Sequence, residues 1–428
     1  MASDIMTPRA IPYGHHLIDE VDIAAVRTVL KAEADRHGQI DDGDIEAALL
    51  VLRSPLITQG PEVAKFEARF ADVVHSKYAA ACASGTAALH LAMSALDVKP
   101  GDACIVPAIT FLSTATAAQF CGADVVFADV DPESGLMTPD TMRSAIARAG
   151  ASAKVVLPVH LGGRMCDMAM LAAVAAERGL KIIEDGCHAL GTRRSNLGLV
   201  GQCKYSDATV FSFHPVKTIA CGEGGMVTTN NEELKERIGR LRNHGVTRDP
   251  GLMTDAKLSF DRHGQPNPWS YEQIELGFNY RMNEIQAALG ASQLSKLEYF
   301  VNRRSMLVSR YVELLAPLSP YVEVVNLEAD EDVSFHIFSL RLIHPALRDR
   351  RAELMRTLIS RGVGCQVHYI PLYRQPFFRR KYGDLHLEGA EQYYSSTLTL
   401  PMYPRMTEDE VNWVVLELTS TISKMLAA

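Results

Sequence analysis

Four short apolar runs decide the architecture: Ala103-Cys104-Ile105-Val106-Pro107, residues 124–128, residues 154–158 and residues 181–184. Each is apolar, rich in β-branched residues and too short for a helix. Strands this apolar need cover on both faces, which a parallel sheet clothed by helices provides. The stretches between them carry apolar residues at helical spacing, so the alternation predicts an α/β fold. At 428 residues the chain can build one large domain and a smaller one. The expected division is an N-terminal arm over 1–59, a large domain over 60–300 and a small domain over 301–428. Residues 254–275 are polar with Pro and Gly and predict a loop; 283–313 predict one long helix.

Composition closes several function classes. Hydrophobic residues make up 47% and charged residues 22%, ordinary for a globular protein. The formal net charge is -8 with no long basic run, so nucleic-acid binding has no electrostatic footprint. No apolar run approaches a membrane span. The cysteines (82, 104, 121, 166, 187, 203, 221 and 365) form no C-x-x-C pair, so reduced thiols are expected rather than disulfides or zinc. The start, Met1-Ala2-Ser3-Asp4, lacks the basic residues and apolar core of a signal peptide, so a cytoplasmic enzyme is expected.

One segment carries chemistry. Phe211-Ser212-Phe213-His214-Pro215-Val216-Lys217 is followed by Gly222-Glu223-Gly224-Gly225, and upstream lies Ile182-Ile183-Glu184-Asp185-Gly186-Cys187-His188. A carboxylate closing an apolar strand, a Ser/His/Lys cluster and glycines point to a phosphate-bearing cofactor held by a lysine. Such an amine forms a Schiff base with an aldehyde and then shuttles a proton. An isolated lysine in a loop would instead read as a surface residue. Asp185 at a strand end is costly unless paired. A protonated ring nitrogen would pair it; capping of the next helix is the plain alternative. Ser84-Gly85-Thr86 reads as a loop opening a helix, whose free N–H groups and partial positive charge suit a phosphate.

With Ile11-Pro12-Tyr13-Gly14 near one end and Leu400-Pro401-Met402-Tyr403-Pro404 near the other, these motifs resemble the pyridoxal-phosphate-dependent sugar-nucleotide aminotransferases of the DegT type. The resemblance implies the fold type I architecture: a mostly parallel seven-stranded sheet covered by helices, then a smaller C-terminal α/β domain. It implies Lys217 as the catalytic lysine. It implies Gly85, Thr86 and Ser212 at the cofactor phosphate, Phe111 stacked on the ring, Asp185 at the ring nitrogen and His188 near the ring oxygen. Asn279 would reach the cofactor phosphate of a neighbouring subunit, giving a homodimer with shared active sites. On the substrate side it implies His160, Arg164, His244, Arg281, His368 and Tyr369, although these read equally well as surface residues. Met165 stands where relatives usually have proline, and Tyr373 where many have histidine.

The implied reaction moves an amino group from glutamate to a keto nucleotide sugar. Within the family the likeness leans to the C4 transaminases of pseudaminic acid biosynthesis, which act on a UDP-linked 4-keto-6-deoxy-N-acetylhexosamine. Amination of another keto sugar is the alternative. Relatives that dehydrate sugars replace the lysine with histidine, and a non-catalytic relative should have lost Lys217 or Asp185; both are present here.

Residues 17–30 and 39–52 resemble each other, with seven of fourteen positions identical. Each copy starts acidic and reads as a short amphipathic helix. Relatives usually have one such helix before the Thr58-Gln59-Gly60-Pro61 turn. Copy two, next to that turn, is expected to hold the family position. The whole duplicated segment is expected to be peripheral to the chemistry.

Overall fold

The computed structural model describes residues 17–37, 39–324 and 331–427; the Pro12-Tyr13-Gly14 motif lies outside them. Its main sheet has seven strands: β1 (Tyr78–Cys82), β2 (Ala103–Pro107), β3 (Asp124–Ala128), β4 (Ala153–Val156), β5 (Lys181–Asp185), β6 (Ala208–Ser212) and β7 (Gly225–Thr229). Their order is β1-β7-β6-β5-β4-β2-β3. Strands β3, β2, β4, β5 and β6 run parallel. Strand β7 is antiparallel to both its neighbours.

The apolar runs explain this arrangement. Successive side chains of a strand point to opposite faces. Ala79, Ala81, Ile105, Ile182 and Phe211 enter one core. Their neighbours Ala80, Cys82, Val106, Ile183 and Val210 enter a second core on the other face. With water excluded from both faces, most positions are apolar, and full burial of each large apolar side chain contributes about 1.5–3 kcal/mol.

A second sheet is antiparallel: β8 (Val322–Val324), β9 (Phe338–Leu342) and β10 (Thr397–Leu400), in the order β8-β9-β10. The helices Leu297–Leu315 and Glu408–Ala427 close a third core over it, through Leu307, Tyr311, Leu418 and Ile422. The long helix expected over 283–313 is two helices, Glu284–Leu294 and Leu297–Leu315. The break at Ser295-Lys296 tightens into i→i−3 hydrogen bonds to Ser292 and Gln293. There the Lys296 ammonium reaches Asp41 and Asp44 at 2.7 and 2.6 Å. The loop expected over 254–275 contains one helical turn, Ala256–Ser259, and a two-residue strand, Glu272–Gln273.

The duplicated segment forms two helices, α1 (Glu20–His37) and α2 (Asp42–Leu52), the first extending well past its repeat. Asp41 caps α2 through a capping box with Asp44. Ile45, Ala48, Leu49 and Leu52 are buried, and α2 lies along the helix Glu284–Leu294. Helix α1 lies outside α2. Among its described side chains only Ile23 is buried, and the pairs Arg53–Glu20 and Arg27–Glu46 hold it from the solvent side. Exposed pairs of this kind contribute about 1 kcal/mol at most.

Candidate active site

The site sits where β1, β5 and β6 end. After β1 the chain turns at Ser84, whose hydroxyl accepts from the Ala87 N–H at 3.1 Å and starts the helix Gly85–Ala95. The first N–H groups of that helix have no intrahelical partner. Ser212, the last residue of β6, lies against Gly85: a Cβ at Gly85 would stand 2.7 Å from the Ser212 Cβ. From the other side β7 brings Gly225 to the same turn, where a Cβ would stand 2.3 Å from the Ser84 carbonyl oxygen. Two glycines thus let three chain segments converge on one helix N-terminus. Thr86 adds its hydroxyl, 2.7 Å from that of Ser113.

Asp185 ends β5 and is buried. One carboxylate oxygen accepts from the Thr114 hydroxyl at 2.8 Å, the other from the Cys187 N–H at 3.2 Å. Lys217 lies in a turn after β6, its N–H donating to the His214 carbonyl at 2.8 Å. Burial pushes the Lys217 ammonium below the usual lysine range, and the Asp185 charge opposes that shift only in part. Such an amine loses its proton more readily than a surface lysine, as a nucleophile or base requires.

Histidines and aromatics close the cavity. Nδ1 of His188 accepts from the Gly162 N–H at 3.3 Å, so its proton sits on Nε2, facing the Tyr369 hydroxyl at 3.3 Å. Burial holds His188 well below the usual histidine range, hence neutral. His368 bonds the Thr399 hydroxyl at 2.9 Å; burial and the Lys217 charge bring it down to about 4. Phe111 opens the helix Leu112–Phe120, half exposed, its ring 6.2 Å from that of Tyr369. The cavity these groups line measures about 490 Å³.

The structure therefore brings Gly85, Thr86, Phe111, Asp185, His188, Ser212, Lys217, His368 and Tyr369 together around one cavity. The side chains at the other expected positions do not line it. His160 is fully buried, its Nε2 2.8 Å from Glu184 and its Nδ1 accepting from the Cys166 N–H, so neither ring nitrogen is free for a sugar. Arg164 faces a different cleft, its guanidinium spent on the Ser134 carbonyl. Arg281 donates to Asn243 at 2.6 Å in a separate depression beside Arg242 and Glu67. His244 and Asn279 are exposed. Sequence reasoning missed Thr114 and His336, which line the cavity, and Gln39, whose amide bonds the Lys217 carbonyl. Thr114 lies one turn beyond Phe111, the only signal it offered.

A phosphorylated aldehyde of one aromatic ring fits these residues. The helix N-terminus with Thr86 and Ser212 supplies donors for the phosphate, Asp185 an anion for a ring nitrogen and Lys217 an amine for the aldehyde. Among the described residues no cluster suits a metal ion, and no described helix is long and apolar enough to cross a membrane.

Comparison with known proteins decides the family. Residues 38–419 match the DegT/DnrJ/EryC1/StrS aminotransferase family. The chain belongs to it. The spore coat polysaccharide biosynthesis protein SpsC of Bacillus subtilis is 34% identical over 381 residues, 87% of this chain and 92% of SpsC. Helicobacter pylori PseC, an aminotransferase involved in the biosynthesis of pseudoaminic acid, superposes with a TM-score of 0.81 at 26% identity, covering 90% of this chain and 97% of PseC. Spr1654 of Streptococcus pneumoniae in its PLP form gives 0.80 at 26% identity, covering 90% and 97% of the two chains. The seven-stranded α/β fold is that of PLP-dependent aminotransferases, and the protein is a pyridoxal-phosphate-dependent sugar aminotransferase.

Proposed function

We propose that the enzyme transfers an amino group from glutamate to C4 of a UDP-linked 4-keto-6-deoxy-N-acetylhexosamine, as a cytoplasmic homodimer. One observation carries the chemistry: a lysine depressed by burial faces a buried, doubly hydrogen-bonded aspartate across a cavity whose floor is a helix N-terminus. The choice of sugar rests on the likeness to PseC.

Bound pyridoxal phosphate supplies the aldehyde that accepts nitrogen and the ring that draws electrons from the reacting carbon. Gly85, Thr86 and Ser212 would hold its phosphate, and Asp185 would keep its ring nitrogen protonated. Thr114 and Cys187 fix the orientation of the Asp185 carboxylate with one donor to each oxygen. Phe111 would cover one face of the ring. Lys217 Nζ removes the proton from Cα of the amino donor and delivers one to the sugar carbon that gains nitrogen. His188, neutral and pinned between Gly162 and Tyr369, donates from Nε2 without adding charge beside the lysine. Asn279 is exposed and does not line the cavity of its own chain; by the family resemblance it is assigned to the partner subunit's phosphate site. His244 and Arg281 serve the sugar from across the same interface.

The test is a panel of 4-keto and 3-keto nucleotide sugars with glutamate, read by mass spectrometry. The UDP-linked 4-keto-6-deoxy-N-acetylhexosamine should be converted fastest, and Lys217→Ala should abolish conversion while remaining folded. Preference for a 3-keto sugar or another nucleotide would overturn the substrate; wild-type turnover in Lys217→Ala would overturn the lysine's role.

A further inference from the structure

The main chain of the lysine turn is tied from behind by a residue of the N-terminal arm. Gln39, almost fully buried, points its side-chain amide at two consecutive carbonyls, that of Lys217 at 3.0 Å and that of Thr218 at 2.8 Å. Two carbonyl acceptors fix the amide's orientation, because only the NH2 end can face both. Both of its N–H bonds are thereby committed to the lysine turn. Gln39 is itself held: its own carbonyl accepts from Gln293 at 2.9 Å. Gln293, with no exposed surface, also donates to Asp44 at 2.5 Å and accepts from the Ala220 N–H at 3.3 Å. Residues 217–220 are therefore gripped at one end by Gln39 and at the other by Gln293. The Lys296 ammonium anchors the arm to the same frame through Asp41 and Asp44.

We propose that Gln39 is a positioning residue for the transamination, clamping the main chain of Lys217 so that Nζ swings from a fixed root. The inference rests on the assignment of Lys217 above. A lysine side chain has four rotatable bonds, and its reach is defined only if its backbone is. Gln39 touches neither substrate nor cofactor cavity and acts through the lysine alone. Copy two of the repeat, expected to be peripheral, thus supplies part of the catalytic scaffold; copy one lies outside it.

The test uses Gln39→Met and Gln39→Glu, which keep the side-chain length and lose the donors, with Gln39→Asn as a shorter donor. In the holoenzyme kcat should fall roughly tenfold for Met and Glu, a part of the ~100-fold that a 1 Å misplacement costs. KM for glutamate and sugar should stay within about twofold, because Gln39 faces away from both. Gln39→Asn, able to reach one carbonyl, should fall between and guards against a folding defect in the other two. In the apoprotein, hydrogen–deuterium exchange of the peptide 213–221 should speed up in Met and Glu. Borohydride reduction followed by peptide mapping separates the two assignments. A cofactor adduct mapped away from Lys217 in wild type removes the lysine reading. An adduct at Lys217 together with wild-type kcat in Gln39→Met removes the clamp, as does a lowered melting temperature with kcat unchanged.

Discussion

Gly225→Ala tests whether the cofactor cradle depends on the close approach of β7. An added Cβ would lie 2.3 Å from the Ser84 oxygen, 2.5 Å from the Ser84 carbonyl carbon and 2.9 Å from the Gly85 nitrogen. All three are backbone atoms at the helix start, so no side chain can rotate away. Relief requires the strand and the turn to part by about 1 Å, and overpacking of this kind costs about 1–3 kcal/mol. At ~2.1 cal/mol/K per residue a chain of this length has an unfolding entropy near 0.9 kcal/mol/K, so about 3 kcal/mol lowers Tm by about 3 °C. The larger effect falls on binding. Charge-assisted hydrogen bonds contribute about 1.5–3 kcal/mol each, so losing one from the displaced turn weakens the phosphate site about 10- to 100-fold. The assay is titration of apoprotein with pyridoxal phosphate, followed by its visible absorbance, beside a melting curve. Gly239→Ala is the control: it lies in the helix Glu232–Leu241 with nothing within 4 Å of its added Cβ. It should gain up to about 1 kcal/mol and bind cofactor normally. If Gly225→Ala binds as tightly as Gly239→Ala, the cradle is not built by that contact.

Asp185→Asn should leave the fold intact, since Thr114 and Cys187 still find partners, yet slow the single-turnover half-reaction with glutamate by about 100-fold or more as a full charge leaves the site; an unchanged rate would make Asp185 structural only. Mixing Lys217→Ala with Asn279→Ala chains should restore part of the activity, because one hybrid site carries neither defect; mixed dimers that form and stay inactive would refute sharing at Asn279. Deleting residues 17–38 removes α1 and keeps Gln39, so cofactor binding and most activity should survive; a soluble deletion variant without the cofactor's visible band would show that α1 supports the site.

The sheet was legible because burial on both faces forces short apolar runs such as Ala103–Pro107 and Asp124–Ala128. The heart of the site was legible because the chemistry sits in compact motifs at strand ends: Asp185 closes β5, and Lys217 lies in the turn after β6. What escaped depends on partners remote in sequence. Gln39 carries no local signal, and its acceptor lies 178 residues away. His160 looks like a loop histidine until Glu184 is placed against it by the neighbouring strand end. The helix break at Ser295-Lys296 has no glycine or proline to announce it; there Lys296 reaches two aspartates of the arm.

The antiparallel placement of β7 has a consequence for synthesis. Among the described residues strand β1 forms an edge of the main sheet and pairs only with β7, about 140 residues later in the chain. At ~5–20 residues per second a ribosome needs roughly 7–30 s to cover that distance. During that interval β1 lacks the strand it pairs with, and the Ser84-Gly85 turn meets Ser212 of β6 but not yet Gly225 of β7. Cofactor capture therefore comes late, after β7 has emerged. A slow stretch of codons between β6 and β7 would prolong the time that two bare strand edges face the cell's other chains.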